Sequence, residues 1–183
     1  QQSWLEYINA FENFVDRSNV DIKFYHLDVD INIDTPFIRG SVLCRFTSQI
    51  DNLQSLTLDL HRSFTLDEIE GEVSDYQFSD DTLRIEFNRT YNAGEEAEVT
   101  INYHGVPPLA EGVKGLRYEN HGNDPVIASL STPFLAHMWW PCKEGPGDKP
   151  DSVYVDVTIP DTSFSGIPVI AVSNGVLEEI VVE

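Results

Sequence analysis

The side chains that could bind a metal or transfer a proton lie far apart along this chain of 183 residues. None of its five histidines belongs to a His-Glu-x-x-His motif, and no two have the i, i+4 spacing of a helical zinc site. Cys44 and Cys142 form no Cys-x-x-Cys pair with metal-ligand spacing. A nucleophile elbow and a phosphate-binding glycine loop are also missing from the sequence. We therefore expect a chain that lacks both a complete catalytic site and a metal site.

Two histidines have a second interpretation. His104 and His121 flank a stretch rich in glycine and proline, 104–125, which predicts a long loop. A metal or acid–base role for this pair is the alternative to an ordinary surface position. The two cysteines are likewise open to two interpretations, a single disulfide or two buried thiols.

The most unusual segment contains Trp139 and Trp140, followed by Pro141 and Cys142. Adjacent tryptophans contribute a large apolar surface to the stretch 131–151, whose composition otherwise predicts irregular structure. One interpretation is a plug that covers the open end of the core. The other is a surface that faces a partner domain or a substrate cleft.

The elements that would position these residues are mostly strands. From residue 22 onward, apolar residues alternate with polar ones, and turn signals separate short apolar runs. This pattern predicts an all-β fold, a β-sandwich or a related architecture. A helical apolar stripe over 3–17 predicts a short N-terminal helix. We expect residues 1–21 to form this helix and a linker, and residues 22–183 to form the β-domain.

The last apolar runs, 168–172 and 176–182, flank Asn174-Gly175 and predict a hairpin. Glu183 follows directly, so we interpret the β-domain as truncated at its C-terminal end. The start at Gln1, without a methionine, favours a processed or cut protein and a periplasmic or secreted location.

The charge argues against two classes of partner. Aspartate and glutamate number 31 against 11 lysines and arginines, which gives a net charge of −20. Such a surface repels the phosphate backbone of nucleic acids and the headgroups of anionic membranes. No apolar run approaches the roughly 20 residues of a transmembrane helix. We expect neither a nucleic acid nor a membrane as partner.

Several short blocks together resemble the N-terminal β-domain of the M1 family of zinc aminopeptidases, to which aminopeptidase N and leukotriene A4 hydrolase belong. The blocks occur in the family's order, at residues 25–31, 38–42, 56–61, 100–105, 139–143, 148–151 and 172–175. The resemblance implies a saddle-like β-sandwich domain packed against a thermolysin-like catalytic domain, C-terminal to it in the same polypeptide. It also implies a peptide substrate, and zinc bound in that catalytic domain with no cofactor in this chain.

The resemblance also suggests candidate site residues. Thr132, followed by Pro133, occupies the position of a Gln or Glu that contacts substrate in the family. Threonine carries no charge for a substrate α-amine, although its hydroxyl can form a hydrogen bond. The acidic residue of the family's Pro-Cys-x-Asp is replaced by Glu144-Gly145. Trp139, Trp140, Pro141 and Cys142 are candidates for the domain interface or a cleft loop.

Without the resemblance, a different function fits the same segment. A stand-alone β-sandwich could use Trp139 and Trp140 as an aromatic surface that binds a carbohydrate or a protein. The downstream sequence distinguishes the two hypotheses, since only a metallopeptidase continues into a His-Glu-x-x-His segment.

Overall fold

The computed structural model describes residues 17–108, 115–122, 124–131, 134–145, 147–162, 166 and 168–182. Its regular elements are strands apart from a short 3-10 helix, Ala136–Met138, so the predicted all-β class is confirmed. The helix predicted over 3–17 lies almost wholly outside the described residues. The strands are β1 (Val20–Asn32), β2 (Phe37–Ser48), β3 (Leu53–Asp59), β4 (Phe64–Gly71), β5 (Val73–Ser79), β6 (Thr82–Tyr91), β7 (Glu96–Gly105), β8 (Leu116–His121), β9 (Asp124–Ser129) and β10 (Ser152–Thr158).

The first hairpin follows the alternation of its sequence. Tyr25, Leu27 and Val29 on β1 are buried at 1–2% exposure, because alternate side chains of a strand point to one face. β1 pairs antiparallel with β2, and Tyr25 lies opposite Cys44. At the turn, the side-chain oxygen of Asn32 accepts hydrogen bonds from the backbone N–H groups of two later residues.

Two sheets enclose the core. One has the strand order β10-β1-β2-β7-β4 and the other β3-β6-β5, so the chain crosses between the sheets several times. Their inner faces form one cluster of buried apolar side chains. Phe46 of the first sheet stacks on Phe87 of the second, with ring centroids 5.8 Å apart. The architecture is therefore sandwich-like, as the strand pattern predicts.

The stretch 104–125 is not the continuous loop that its composition predicts. From Leu116 the chain forms β8, which pairs with β9 as a separate two-stranded sheet. Gly122 has φ +69 at the turn between them, where a left-handed backbone suits glycine. Leu116 is 3% exposed and belongs to the core cluster. The hairpin thus forms because one of its faces packs on the sandwich.

The C-terminal hairpin predicted around Asn174-Gly175 is wrong. The described residues 168–182 contain no strand, and only an isolated bridge joins Thr162 to Pro168. The side chains of Ile170 and Val172 are 80% and 91% exposed. A two-stranded hairpin that packs against nothing is at best marginally stable, so the local turn signal is not sufficient here.

β10 shows a pairing that the sequence pattern does not reveal. It pairs in parallel with β1, with Tyr25 opposite Val153 and Val29 opposite Val157. β10 is an edge strand, and its Val153 and Tyr154 are 45% and 59% exposed. Within the described part of the chain, no helix has the length and apolar character needed to cross a bilayer.

Candidate functional site

The segment 134–144, which we call the aromatic segment, is attached to the end of β3 by backbone hydrogen bonds. Asp59 and Cys142 form a bridge in which each N–H donates to the other's carbonyl, at 2.7 and 3.0 Å. The N–H of His61 donates to the carbonyl of His137 at 2.9 Å. These bonds place an irregular segment against the sandwich much as an additional short strand would lie.

The two tryptophans lie in different environments. Trp139 is 8% exposed and belongs to the core cluster, and its Nε1 donates to Ser131 Oγ at 3.0 Å. Trp140 is half-buried and packs edge-on against the ring of Tyr25, with centroids 4.9 Å apart. The structure therefore places Trp139 as part of the core and leaves Trp140 at its border.

Tyr103 joins the aromatic segment to the five-stranded sheet. Its side chain is fully buried, and its hydroxyl donates to the carbonyl of Trp139 at 2.8 Å. The ring lies over Gly40, where a Cβ atom would come within 2.6 Å of it. Glycine at position 40 thus makes room for the tyrosine that holds the segment.

A second glycine admits the segment from the other side. A Cβ atom on Gly115, just before β8, would lie 2.4 Å from the carbonyl oxygen of Leu135 and 2.6 Å from Cβ of Met138. Real Cβ atoms do not approach so closely, so only glycine fits without a shift of the backbone. Gly115 is therefore required by this contact, although its sequence context suggests only a loop.

A buried lysine fixes the chain just after the aromatic segment. The side chain of Lys143 is 4% exposed, and its Nζ contacts Asp148 and donates to the carbonyl of Val20 at 2.6 Å. Its backbone N–H donates to the hydroxyl of Tyr25 at 2.9 Å. Asp148 also accepts from the N–H of Ile22, at 3.3 Å. The ion pair thus ties the segment to the start of β1.

Charged groups cluster around Asp59 at the other end of the segment. Arg17 binds both carboxylate oxygens of Asp59, with Nη2 donating to Oδ1 at 2.8 Å. The N–H of Glu144 donates to Asp59 Oδ2 at 3.1 Å. Glu144 Oε1 accepts from the backbone N–H of His137 at 2.9 Å. The acidic residue that replaces the family's aspartate is therefore built into a network.

His137 faces the same carboxylate with its ring. Nδ1 lies 2.9 Å from Glu144 Oε2, yet it is not aligned for a hydrogen bond, so the contact is an attraction between charges when the ring is protonated. Burial by itself lowers the pKa of His137, but Glu144, Asp59 and Asp81 outweigh it and raise this pKa above 6.5. Burial lowers the pKa of the neighbouring His61.

Both cysteines are buried free thiols, which decides between the two interpretations of the sequence. Burial raises the pKa of Cys44 to about 12. Burial likewise raises the pKa of Cys142 well above its usual range. Because the thiolate is the nucleophile, both side chains are inert near neutral pH. Cys142 contributes to the core rather than to chemistry.

The remaining predicted positions have separate outcomes. Thr132 and Pro133 lie outside the described residues. His104 pairs with Asp67, whose carboxylate lies 2.9 Å from Nδ1, and His121 is exposed at the end of β8. The described part of the chain contains no group of three or more histidine, cysteine, aspartate or glutamate side chains that could hold a metal ion.

The sequence reasoning missed the network of Arg17, Asp59, His137 and Glu144. These residues come from three separate stretches of the chain, and no periodic pattern links them. A partial signal was available: Glu144 lies two residues after Cys142, at the acidic position of the Pro-Cys motif. Its partners emerge only when the segment is placed on β3.

The family model of the peptidase M1 N-terminal domain matches residues 22–182. The chain belongs to this family. No curated protein matches it. Among solved structures it is similar to an M1 zinc metallopeptidase from Deinococcus radiodurans, with a TM-score of 0.66 and 21% identity over 79% of this chain.

Two further solved structures show the same M1 N-terminal fold. One is a mutant of the Deinococcus radiodurans enzyme bound to a Tyr-Ser-Ala substrate, with a TM-score of 0.66, 21% identity and 79% of this chain covered. The other is a two-domain M1 zinc metallopeptidase mutant bound to L-tryptophan, with a TM-score of 0.67, 21% identity and 80% covered. This M1 N-terminal domain spans about a third of the length of each, 33% and 34%.

Proposed function

We propose that this chain is the non-catalytic N-terminal domain of an M1 zinc metallopeptidase. It packs against a catalytic domain in the same polypeptide and lines the outer wall of the substrate cleft. The proposal rests on the family match over residues 22–182. The chain covers only about a third of the length of a similar metallopeptidase. Peptide hydrolysis and the zinc ion belong to the rest of that polypeptide.

Exposed apolar side chains support a docked partner domain. They concentrate on β10 and on the segment 168–182, which we call the C-terminal segment. Between 71% and 91% of the side-chain surface is exposed at seven positions there, namely Ile170, Val172, Val176, Leu177, Ile180, Val181 and Val182. Surfaces this apolar usually belong to an interface, since water contact with them is unfavourable. We assign this surface to contact with the rest of the polypeptide.

The cleft wall is proposed at the two residues that directly precede the aromatic segment in sequence. Thr132, followed by Pro133, is the proposed substrate-contacting position, and its hydroxyl can donate or accept one hydrogen bond with a peptide. Threonine offers no negative charge to an α-ammonium group. We therefore propose weaker anchoring of a free N-terminus here than a glutamate at this position would give.

The same segment supplies the proposed domain border. Trp139 and Cys142 are buried within this domain, so their role is to hold the segment in place. Trp140 is the half-buried member and is the one proposed to border the catalytic domain. Since Trp139 is 8% exposed, the pair does not offer a flat aromatic surface, which argues against a sugar-binding function.

Steady-state kinetics of the full-length polypeptide test the cleft assignment. A Thr132→Glu variant is expected to raise kcat/KM for aminoacyl substrates with a free α-amine about tenfold, the value of one added charge-assisted contact. The same substitution at Thr65, exposed on β4, should leave kcat/KM unchanged. Equal effects at the two positions contradict the assignment.

A second experiment tests the non-catalytic role. The 183-residue chain, supplied with zinc and aminoacyl or peptide substrates, is expected to show no turnover. Turnover that follows this chain through successive purification steps would overturn the proposal. A downstream coding sequence without a His-Glu-x-x-His segment would overturn it as well.

A further inference from the structure

We propose that His137 and Glu144 form a proton-controlled latch that holds the aromatic segment on the end of β3. The latch closes when His137 is protonated and loosens when His137 loses its proton. This inference concerns the domain itself and does not depend on the proposed peptidase function.

His137 is connected both to the stretch after β3 and to Glu144. Its carbonyl accepts the N–H of His61 from the stretch that follows β3, at 2.9 Å. Its own N–H donates to Glu144 Oε1, and its ring nitrogen Nδ1 lies 2.9 Å from Oε2 of the same carboxylate. The side chains are only 19% and 11% exposed, so solvent screens this charge pair weakly.

Glu144 connects the latch to the sandwich. Its N–H donates to Asp59 Oδ2, at 3.1 Å, and Asp59 ends β3. Arg17 neutralises Asp59 through both carboxylate oxygens. The contact between His137 and Glu144 therefore joins two parts of the aromatic segment to each other, and Asp59 joins both of them to β3.

The charges around His137 favour its protonated form. Glu144, Asp59 and Asp81 all act on it with negative charge, and Arg17 and Arg62 partly neutralise Asp59 and Asp81. The ring of His61 lies 6.5 Å away and opposes a second positive charge. Burial lowers the pKa of His61 itself, so His61 loses its proton at a lower pH than His137 does. Between these two titrations, His137 is the charged histidine of the cluster.

The direction of the pH dependence follows from the raised pKa. In an opened segment, His137 returns toward its ordinary pKa of 6.5, whereas in the closed segment its pKa is higher. Protonation thus favours the closed form. The added stability is complete below pH 6.5 and is lost as the pH rises through the raised pKa.

Nuclear magnetic resonance of the 183-residue chain provides the test. The His137 ring is expected to titrate above 6.5, and the amide protons of His137 and Cys142 are expected to be protected several-fold more below that titration than above it. Protection is compared after correction for the intrinsic pH dependence of exchange. Glu144→Gln keeps an oxygen that can accept the His137 N–H but removes the charge in direct contact with the ring, so it should strongly reduce the pH dependence.

Asp67→Asn supplies the matched control, because it removes the carboxylate from the exposed His104 pair and should leave His137 unchanged. The latch is refuted if His137 in the unmodified chain titrates at or below 6.5. It is equally refuted if protection in Glu144→Gln varies with pH as it does in the unmodified chain. The titration of the unmodified chain decides the matter even where a variant fails to fold.

Discussion

The aromatic segment and the C-terminal segment are both apolar and irregular, but the first is largely buried and the second is exposed. In the aromatic segment, Trp139 and Cys142 are 8% and 2% exposed, and the backbone bonds to Asp59 and His61. In the C-terminal segment, Val172 is 91% exposed. The difference lies in polar partners: a backbone can be buried only where its N–H and C=O groups find hydrogen bonds. Apolar composition alone therefore does not predict burial.

Among the substitutions that test this contrast, removal of the Trp139 side chain should have the largest effect on stability. Trp139→Ala is expected to lower the free energy of unfolding by about 3–5 kcal/mol, because it leaves a cavity where a large core side chain lay. Urea unfolding followed by circular dichroism measures the loss. Tyr154→Ala removes an aromatic that is 59% exposed and should cost far less. Similar losses in the two variants would show that Trp139 is not part of the core.

The ion pair that ends the aromatic segment should have the next largest effect. Lys143→Met keeps the length of the side chain but leaves Asp148 without its cation, which is expected to cost about 3 kcal/mol. The midpoint of urea unfolding measures the change. Lys23→Met removes a more exposed pair with Asp21 and should lower stability far less, because solvent screens that pair. A larger loss of stability in Lys23→Met than in Lys143→Met would contradict the stabilising role assigned to the buried ion pair.

The close approach at Gly115 should have a smaller effect. A methyl group there meets the Leu135 carbonyl and Met138, so Gly115→Ala is expected to cost about 1–3 kcal/mol. Thermal unfolding provides the measurement. Gly147→Ala is the control, because nothing lies within 4 Å of its added Cβ atom. An unchanged melting temperature for Gly115→Ala would mean that the segment sits further from β8 than described.

Substitutions in the C-terminal segment should have the smallest effect on this chain. Ile170→Ser and Val172→Ser are expected to change the free energy of unfolding by no more than about 0.5 kcal/mol, since both side chains contact mainly water. Urea unfolding checks this, with Val42→Ser, fully buried on β2, as the destabilised reference. Losses comparable with that reference would show that the C-terminal segment packs against the domain.

Much of the sandwich could be predicted because its signals are local. The alternation of Tyr25, Leu27 and Val29 and the turn after Asn32 predict the first hairpin, which the structure confirms. The β8–β9 hairpin was missed because its glycines resemble those of a loop. The Asn174-Gly175 signal was equally local, but no packing face supports it, and there the prediction is wrong.

The candidate site could be predicted only in part. The Trp139–Cys142 block stands out by composition, and it indicates the segment that carries the resemblance to the M1 family. The roles within the block did not follow from composition, since Trp139 is buried and Trp140 lies at the border. The glycines that admit these side chains had no distinctive signal, because their neighbours come from distant parts of the chain.

The sequence by itself determined the strand class, the acidic surface and the family, because period, charge and short motifs are read along the chain. Tertiary structure alone decided the parallel pairing of β10 with β1, in which His26 meets Asp156 across 130 residues. It also decided which carboxylate faces His137. Contacts between residues so distant in sequence form only when the whole chain folds, so no local pattern records them.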